Sequence, residues 1–280
     1  MARIHTDALV ASARSRARRS DGVTLVAAYG EGKPDQLVQL LSNLAELCSS
    51  EMRLAGWIQL YDRAQIHATV VGLEGTRCGD AVVQENLKAR LGDAGPAPPV
   101  NFEAMLEFFA SSVSEVPAVV GGFRESDVNP FDPGRAPFER SFDIRSDGLI
   151  VAMGWPHTNA AFTPYLIGLR KYFESFNIVH KYHVRPQDQD NDLFFVVGEI
   201  DAERWKTASD DERTAAQEMI NELVTECRRN LSERRFTFSL APRDLYVVRY
   251  RRASLAEISF ASRVTEIDVR TLLGLYVEPA

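Results

Sequence analysis

The stretch Ile66-His67-Ala68-Thr69-Val70-Val71-Gly72-Leu73 decides how this chain is read. It is β-branched, bounded by glycine and alternates polar with apolar residues, which is the pattern of a half-buried strand. Side chains two apart in a strand share a face, so His67 and Thr69 project together while Ala68 and Val70 turn into a core. An imidazole that titrates near neutrality can move a proton, and a hydroxyl beside it can hold an oxyanion such as a phosphate oxygen. A lone strand histidine is more often a surface or hydrogen-bonded structural residue, so the functional meaning rests on context.

Upstream, Thr24 to Tyr29 reads as a strand, followed by a helix from Asp35 with Leu37, Leu40, Leu41, Leu44, Leu47 and Cys48 on one face. Downstream, a helix from Asn101 carries Phe102, Met105, Leu106, Phe109 and Val113, with strands near Ala118 to Phe123 and Ser141 to Arg145. The second half repeats the order. Leu149 to Gly154 reads as a strand, a helix opening at Thr163-Pro164 bears Leu166, Leu169, Tyr172, Phe173 and Phe176, and Leu193 to Ile200 is again a strand. Ser209 with Glu212 three residues on forms a capping box for a helix that buries Met219, Ile220, Leu223, Val224 and Cys227. The half closes with a hairpin, Phe236 to Leu240 and Leu245 to Tyr250, turned by Ala241-Pro242-Arg243-Asp244.

Short strings recur in step with the elements. Val26-Ala27 returns 125 residues on as Val151-Ala152, and Val70-Val71-Gly72 returns 126 residues on as Val196-Val197-Gly198. The expected fold class is therefore α+β: an internally duplicated, bilobal fold with two mostly antiparallel sheets facing a central cleft and helices on the outer faces. Residues 1–21 form a basic N-terminal helix or extension. Residues 22–280 form a single bilobal domain, with repeat units at about 22–146 and 147–252 and a C-terminal extension at 253–280. Gly92 to Val100 and Gly121 to Phe138, rich in Gly, Pro and Asp, are loops within this plan.

The run from Ile66 to Leu73, set in a duplicated unit, resembles the two-histidine (2H) phosphoesterase superfamily, which includes 2′-5′ RNA ligase-like proteins and cyclic nucleotide phosphodiesterases. The resemblance covers most of the chain. It implies two pseudo-symmetric lobes, each giving one His-x-Thr/Ser motif to a shared cleft, with His67 as an acid/base residue and Thr69 as its phosphate-holding partner.

That pattern asks for a second motif. Aligning Gly198 with Gly72 puts Leu193 where His67 sits and Phe195 where Thr69 sits, and a slip of one residue brings Asp192 and Phe194 instead. Candidates to replace the missing group are His183 in the run 180–185, His157 in the loop after Leu149 to Gly154, and Asp244 ahead of Tyr246 in the hairpin. Lys181, His183, Arg185, Arg249, Tyr250 and Arg251 are the expected substrate-binding residues. In this reading Arg249 and Arg251 share a face with Val247, and Tyr250 offers a ring for base stacking.

Bulk properties bound the possibilities. The 280 residues carry 32 Lys and Arg against 39 Asp and Glu, a net charge of -7, which argues against extended DNA binding. The three cysteines, Cys48, Cys78 and Cys227, are widely spaced and form neither a disulfide framework nor a zinc pattern, as expected in a reducing cytoplasm. No apolar run reaches the length of a membrane span. Between Arg3 and Arg19 five arginines face one acid, Asp7, which superficially imitates a transit peptide but reads as a solvated helix packed through Leu9, Val10 and Ala13. Nucleotide-loop, nucleophile-elbow and metal signatures are absent, so no metal and no cofactor is expected. Asp188-Gln189-Asp190-Asn191-Asp192 lacks the Gly and Glu of a calcium loop and reads as an acidic connector.

The expectation is a protein that binds a small phosphate-bearing nucleotide or an RNA terminus between its lobes. Its catalytic version is a weak or altered cyclic phosphodiesterase resting on His67 and Thr69. The alternative is a catalytically inactive ligand sensor or scaffold with a protein partner.

Overall fold

A computed structural model describes residues 3–18, 21–111, 114–132, 134, 136–183, 185 and 188–276. Helix α1 (Thr6–Ala17) precedes strand β1 (Gly22–Ala27), helix α2 (Asp35–Ser50), the short β2 (Ile58–Leu60) and β3 (Ala68–Gly72). A two-stranded hairpin, β4 (Gly75–Cys78) and β5 (Ala81–Gln84), leads through α3 (Glu85–Leu91) and α4 (Phe102–Ser111) to β6 (Val116–Gly121). After α5 (Pro137–Arg140) come β7 (Phe142–Ile144), β8 (Leu149–Thr158), β9 (Ala161–Phe162) and α6 (Tyr165–Tyr172). The remainder is β10 (Leu193–Ile200), α7 (Ala202–Thr207), α8 (Asp210–Ser232), β11 (Arg235–Leu240), β12 (Leu245–Tyr250), β13 (Ile258–Arg263) and α9 (Val269–Gly274).

Among the described residues the larger strands join one antiparallel sheet in the order β11-β6-β8-β10-β3-β1-β12-β13, with β2 beside β10 and with β7 and β9 beside β8. This replaces the expected pair of separate sheets. The expected hairpin between Phe236–Leu240 and Leu245–Tyr250 is also absent, because β11 pairs with β6 while β12 pairs with β1 and β13. Six strand spacings separate β11 from β12 along the sheet, about 29 Å if it were flat. The chain from Leu240 to Leu245 can reach only about 18 Å. The sheet must therefore curl sharply, and the four residues 241–244 close the curl.

Two irregularities interrupt the strand ladders. Between β1 and β3, Leu25 faces Val71 and Val26 faces Thr69, so Val70 is an extra residue. Between β8 and β10, Val151 faces Val196 and Ile150 faces Gly198, so Val197 is an extra residue. The strands β3 and β10 meet at one pair, Phe195 with Ala68.

One face of the sheet is sealed by helices. Leu25 and Ala27, Ala68 and Val70, Phe195 and Val197 share a single apolar core with Leu37, Leu40 and Leu44 of α2, Phe102 and Met105 of α4, Leu166 of α6, and Ile220 and Val224 of α8. The predicted capping box starts α8: Glu212 N–H donates to Ser209 Oγ at 3.3 Å and Ser209 N–H to Glu212 Oε2 at 2.8 Å. Val113 of the predicted α4 pattern lies outside the described residues. In α1 only Leu9 is fully buried, and the helix is tied down by Ile4 N–H to Gln217 Oε1 (2.8 Å) and Arg16 to Glu199 (2.6 Å). Residues beyond 252 extend the sheet through β13 rather than trailing from it. No helix among the described residues is long and apolar enough to cross a membrane.

Candidate functional site

The other face of the sheet is open, and a cleft of about 1150 Å³ runs along it. His67 sits immediately before β3, half-buried in the cleft wall, and Thr69 one pleat on is exposed into the same space. The spacing predicted this shared face. Burial, assisted by the charge of Lys33 and opposed by the Gln65 carbonyl, pulls the His67 pKa down to about 4. His67 Nδ1 lies 2.8 Å from Gln65 O, an atom that can only accept, so Nδ1 carries the proton. At neutral pH the ring is uncharged and Nε2 keeps a lone pair, the form of a base or an acceptor.

The alternation on β10 decides what faces His67 and Thr69. Leu193, Phe195 and Val197 are core residues, whereas Phe194 and Val196 line the cleft. The Phe195–Ala68 pair puts Phe194 across from Thr69 and Val196 across from His67. The residues opposed to the motif are thus apolar, and Leu193 and Phe195, which the Gly72–Gly198 alignment sets at the places of His67 and Thr69, face the core.

Arg170 holds the back of the site. Although 2% exposed, it donates from Nε to Val70 O (3.0 Å) and from Nη2 to Thr69 O (3.1 Å) and Asp192 O (3.2 Å). Nη1 reaches Asp190 O at 2.8 Å. One guanidinium thereby joins the motif strand to the segment that enters β10. Asp190 and Asp192 both line the cleft. Burial and the neighbouring Asp190 charge push Asp192 above the usual carboxylate range, against the pull of Arg140. Burial also works to raise Asp190, but Arg170 and the hydrogen bonds with Asp192 outweigh it and hold it low. Arg140 is ion-paired to both Asp192 and Asp132.

Of the remaining predicted binding residues, Lys181 and Tyr250 line the cleft. Lys181 is exposed, with Nζ 5.3 Å from the centre of the Tyr182 ring. Tyr250 is buried against Val26, Val248 and Leu255, and its hydroxyl donates to Glu74 Oε1 at 2.7 Å. Glu74 is raised by burial, with the Tyr250 hydrogen bond pulling the other way. The cleft does not gather the other four. His183 is 2% exposed, its ring 5.0 Å from that of His180. Arg185 pairs with Asp188 at 3.3 Å. Val247 is a core residue whereas Val248 and Tyr250 belong to the opposite face, so Arg249 turns away from Tyr250 and pairs with Asp21 at 3.6 Å. Arg251 is exposed outside the cleft.

The substitutes proposed for a second histidine are also elsewhere. His157 lies within β8 rather than in a loop, and its Nδ1 is 2.9 Å from Arg235 Nη2. Asp244 caps its own turn by accepting Ala241 N–H at 3.2 Å. The sequence offers no reason to single out Glu74, Arg140 or Arg170, and it presents Asp190 only as part of an acidic connector and Asp192 as that or as the slipped counterpart of the motif. No motif marks them, because each acquires its place only through burial. Among the described residues no group of three or more His, Cys, Asp or Glu is arranged to hold a metal ion.

No family model matches the chain, and no curated protein does. A solved structure of a conserved protein of unknown function from Agrobacterium tumefaciens str. C58 is similar at a TM-score of 0.37 and 12% identity, covering 88% of this chain and 86% of that one.

Proposed function

We propose that the chain is a 2H phosphoesterase-like protein that binds a phosphate-bearing nucleotide or RNA end in the cleft, with His67 and Thr69 as the phosphate subsite. The observation that carries this reading is the common projection of His67 and Thr69 into one cleft with the exposed ammonium of Lys181. The Thr69 hydroxyl and the Lys181 ammonium can donate to phosphate oxygens, and the free Nε2 of His67 can accept the proton of a ribose hydroxyl or water beside them.

The internal duplication that the reading requires has support in the strand register. Outward from the central pair, β3-β1-β12 on one side mirrors β10-β8-β6 on the other. The extra residues Val70 and Val197 are 127 apart, and so are Ala68 and Phe195, the pair where β3 meets β10. The same offset carries His67 onto Phe194 and Thr69 onto Val196. The second motif is then replaced by a phenyl ring and an isopropyl group. A positioned acid or base is worth roughly 10²- to 10⁴-fold, so binding outlasts catalysis in this reading. Asp192 contributes a carboxyl to the same cleft, but it is engaged by Arg140.

The test is calorimetric titration with 2′-AMP, 3′-AMP and adenosine, beside turnover of 2′,3′-cyclic AMP by wild type and His67→Ala. The expected result is binding of the phosphorylated ligands alone, weakened at least tenfold by Thr69→Ala. Equal turnover by both proteins sinks the catalytic version, and failure to bind any phosphorylated ligand sinks the reading. A ligand sensor is favoured over an enzyme by one specific feature, the apolar pair Phe194 and Val196 facing the motif.

A further inference from the structure

We propose that the cleft floor across from Thr69 is a stacking site for the base of a nucleoside monophosphate, built on the Phe194 ring; this rests on the phosphate subsite proposed above. Phe194 is half-buried, backed by a cluster of Val119, Phe123, Val151, Met153 and Trp155 and open to the cleft. The backing fixes the ring, and a fixed aromatic surface loses little freedom when a flat ligand settles on it. The Arg145 guanidinium lies 5.6 Å from the centre of that ring, is nearly half exposed and pairs with Asp147 at 3.2 Å, a surface ion pair weak enough to be given up when the guanidinium closes on the far side of a flat ring. Guanidinium and phenyl planes are the two surfaces on which bases stack.

The distances suit a nucleotide. Thr69 and Phe194 occupy adjacent strands, about 4.8 Å apart, and a ribose spans a gap of that order between phosphate and base. The apolar floor is a short patch of Phe194, Met153, Val196 and Leu149, bounded by Asp143, Arg140, Asp192 and Arg145, which also line the cleft. An acyl chain would need an apolar groove running on past these charges. The side chain standing where the second motif belongs is thus converted from chemistry to recognition.

The experiment compares 2′-AMP with ribose 5-phosphate and inorganic phosphate by calorimetry, using wild type, Phe194→Leu, Arg145→Gln and Thr69→Ala, each checked for native near-ultraviolet circular dichroism. Stacking predicts that wild type prefers 2′-AMP over the two base-free ligands by roughly 5- to 150-fold. Phe194→Leu, which keeps apolar volume, should erase most of that preference without changing phosphate affinity. Arg145→Gln should erase part of it and Thr69→Ala should weaken all three ligands. A nuclear Overhauser effect between the Phe194 ring and the adenine protons should accompany binding. Equal affinity for 2′-AMP and ribose 5-phosphate, or a preference untouched by Phe194→Leu, overturns the stacking site while leaving the phosphate subsite standing. Binding of none of the three overturns the phosphate subsite itself.

Discussion

The guanidinium of Arg170 donates to the backbone carbonyl of Thr69 at 3.1 Å, across 101 residues of sequence. The same nitrogen donates to Asp192 O at 3.2 Å, so the pose of the motif strand is set from α6 through a buried cation. Replacing it with an apolar residue would strand the carbonyls of Thr69, Val70, Asp190 and Asp192 and leave the Asp190 carboxylate without its closest cation. Arg170→Met should cost about 3–5 kcal/mol, read as a lower urea midpoint at unchanged slope. A midpoint within error of wild type would show that the clamp is dispensable.

Acid should charge the half-buried imidazole of His67. His67 is held at about 4 when folded against 6.5 when free, so between those values the unfolded chain binds more protons. The stabilising contribution is present above pH 6.5 and is lost as pH falls toward 4. His67→Gln removes the titrating group, so the variant's melting temperature should drop less than that of wild type between pH 7 and pH 4.5. Identical drops would show that His67 titrates normally in the folded protein.

The Tyr250 hydroxyl donates a hydrogen bond to Glu74, a carboxyl already raised by burial. Tyr250→Phe should destabilise by about 1–3 kcal/mol. Because the charged form of Glu74 suffers most, the loss should be larger at pH 8 than at pH 5, measured by urea unfolding at both. A pH-independent loss would assign the effect to packing alone.

Gly121 closes β6 at φ +75°, and a Cβ there would lie 2.5 Å from Arg234 O and 2.7 Å from Leu231 O. Neither backbone oxygen can move aside cheaply, since Gly122 N–H already donates to Leu231 O at 2.7 Å. Gly121→Ala should therefore cost more than about 1 kcal/mol by thermal unfolding. A neutral change would mean that the end of α8 yields.

Much of this was legible in the sequence, for identifiable reasons. The apolar face of α2, the capping box at Ser209 and the strand Leu193–Ile200 rest on local rules that the fold obeys. The shared face of His67 and Thr69 follows from pleat geometry alone. Elements β4, β5 and β13 carry little signal because they are short and bury little, no residue of β4 or β13 being fully buried. The partners of β11 and β12 were missed because the turn at 241–244 looks locally like a hairpin, and only the curl of the sheet separates them. Arg170 was missed because a lysine or arginine on a helix is ordinarily solvated, and nothing local announces that this one is sealed in.

Position along β10 is a matter of counting. A pleated strand assigns its faces by parity, and the extra residues Val70 and Val197 stand 127 apart, one more than the 126 that separate Gly72 from Gly198. Matching the letters of Gly72 and Gly198 points to 193 and 195, whereas matching hydrogen bonds points to 194 and 196. Phe194→His with Val196→Thr would write a second motif onto the open face of the sheet without asking the backbone to move. Leu193→His with Phe195→Thr would drive the same two side chains into the sealed apolar interior. An error of one residue in alignment, invisible in the letters of the chain, is here the whole distance between a binding surface and a core.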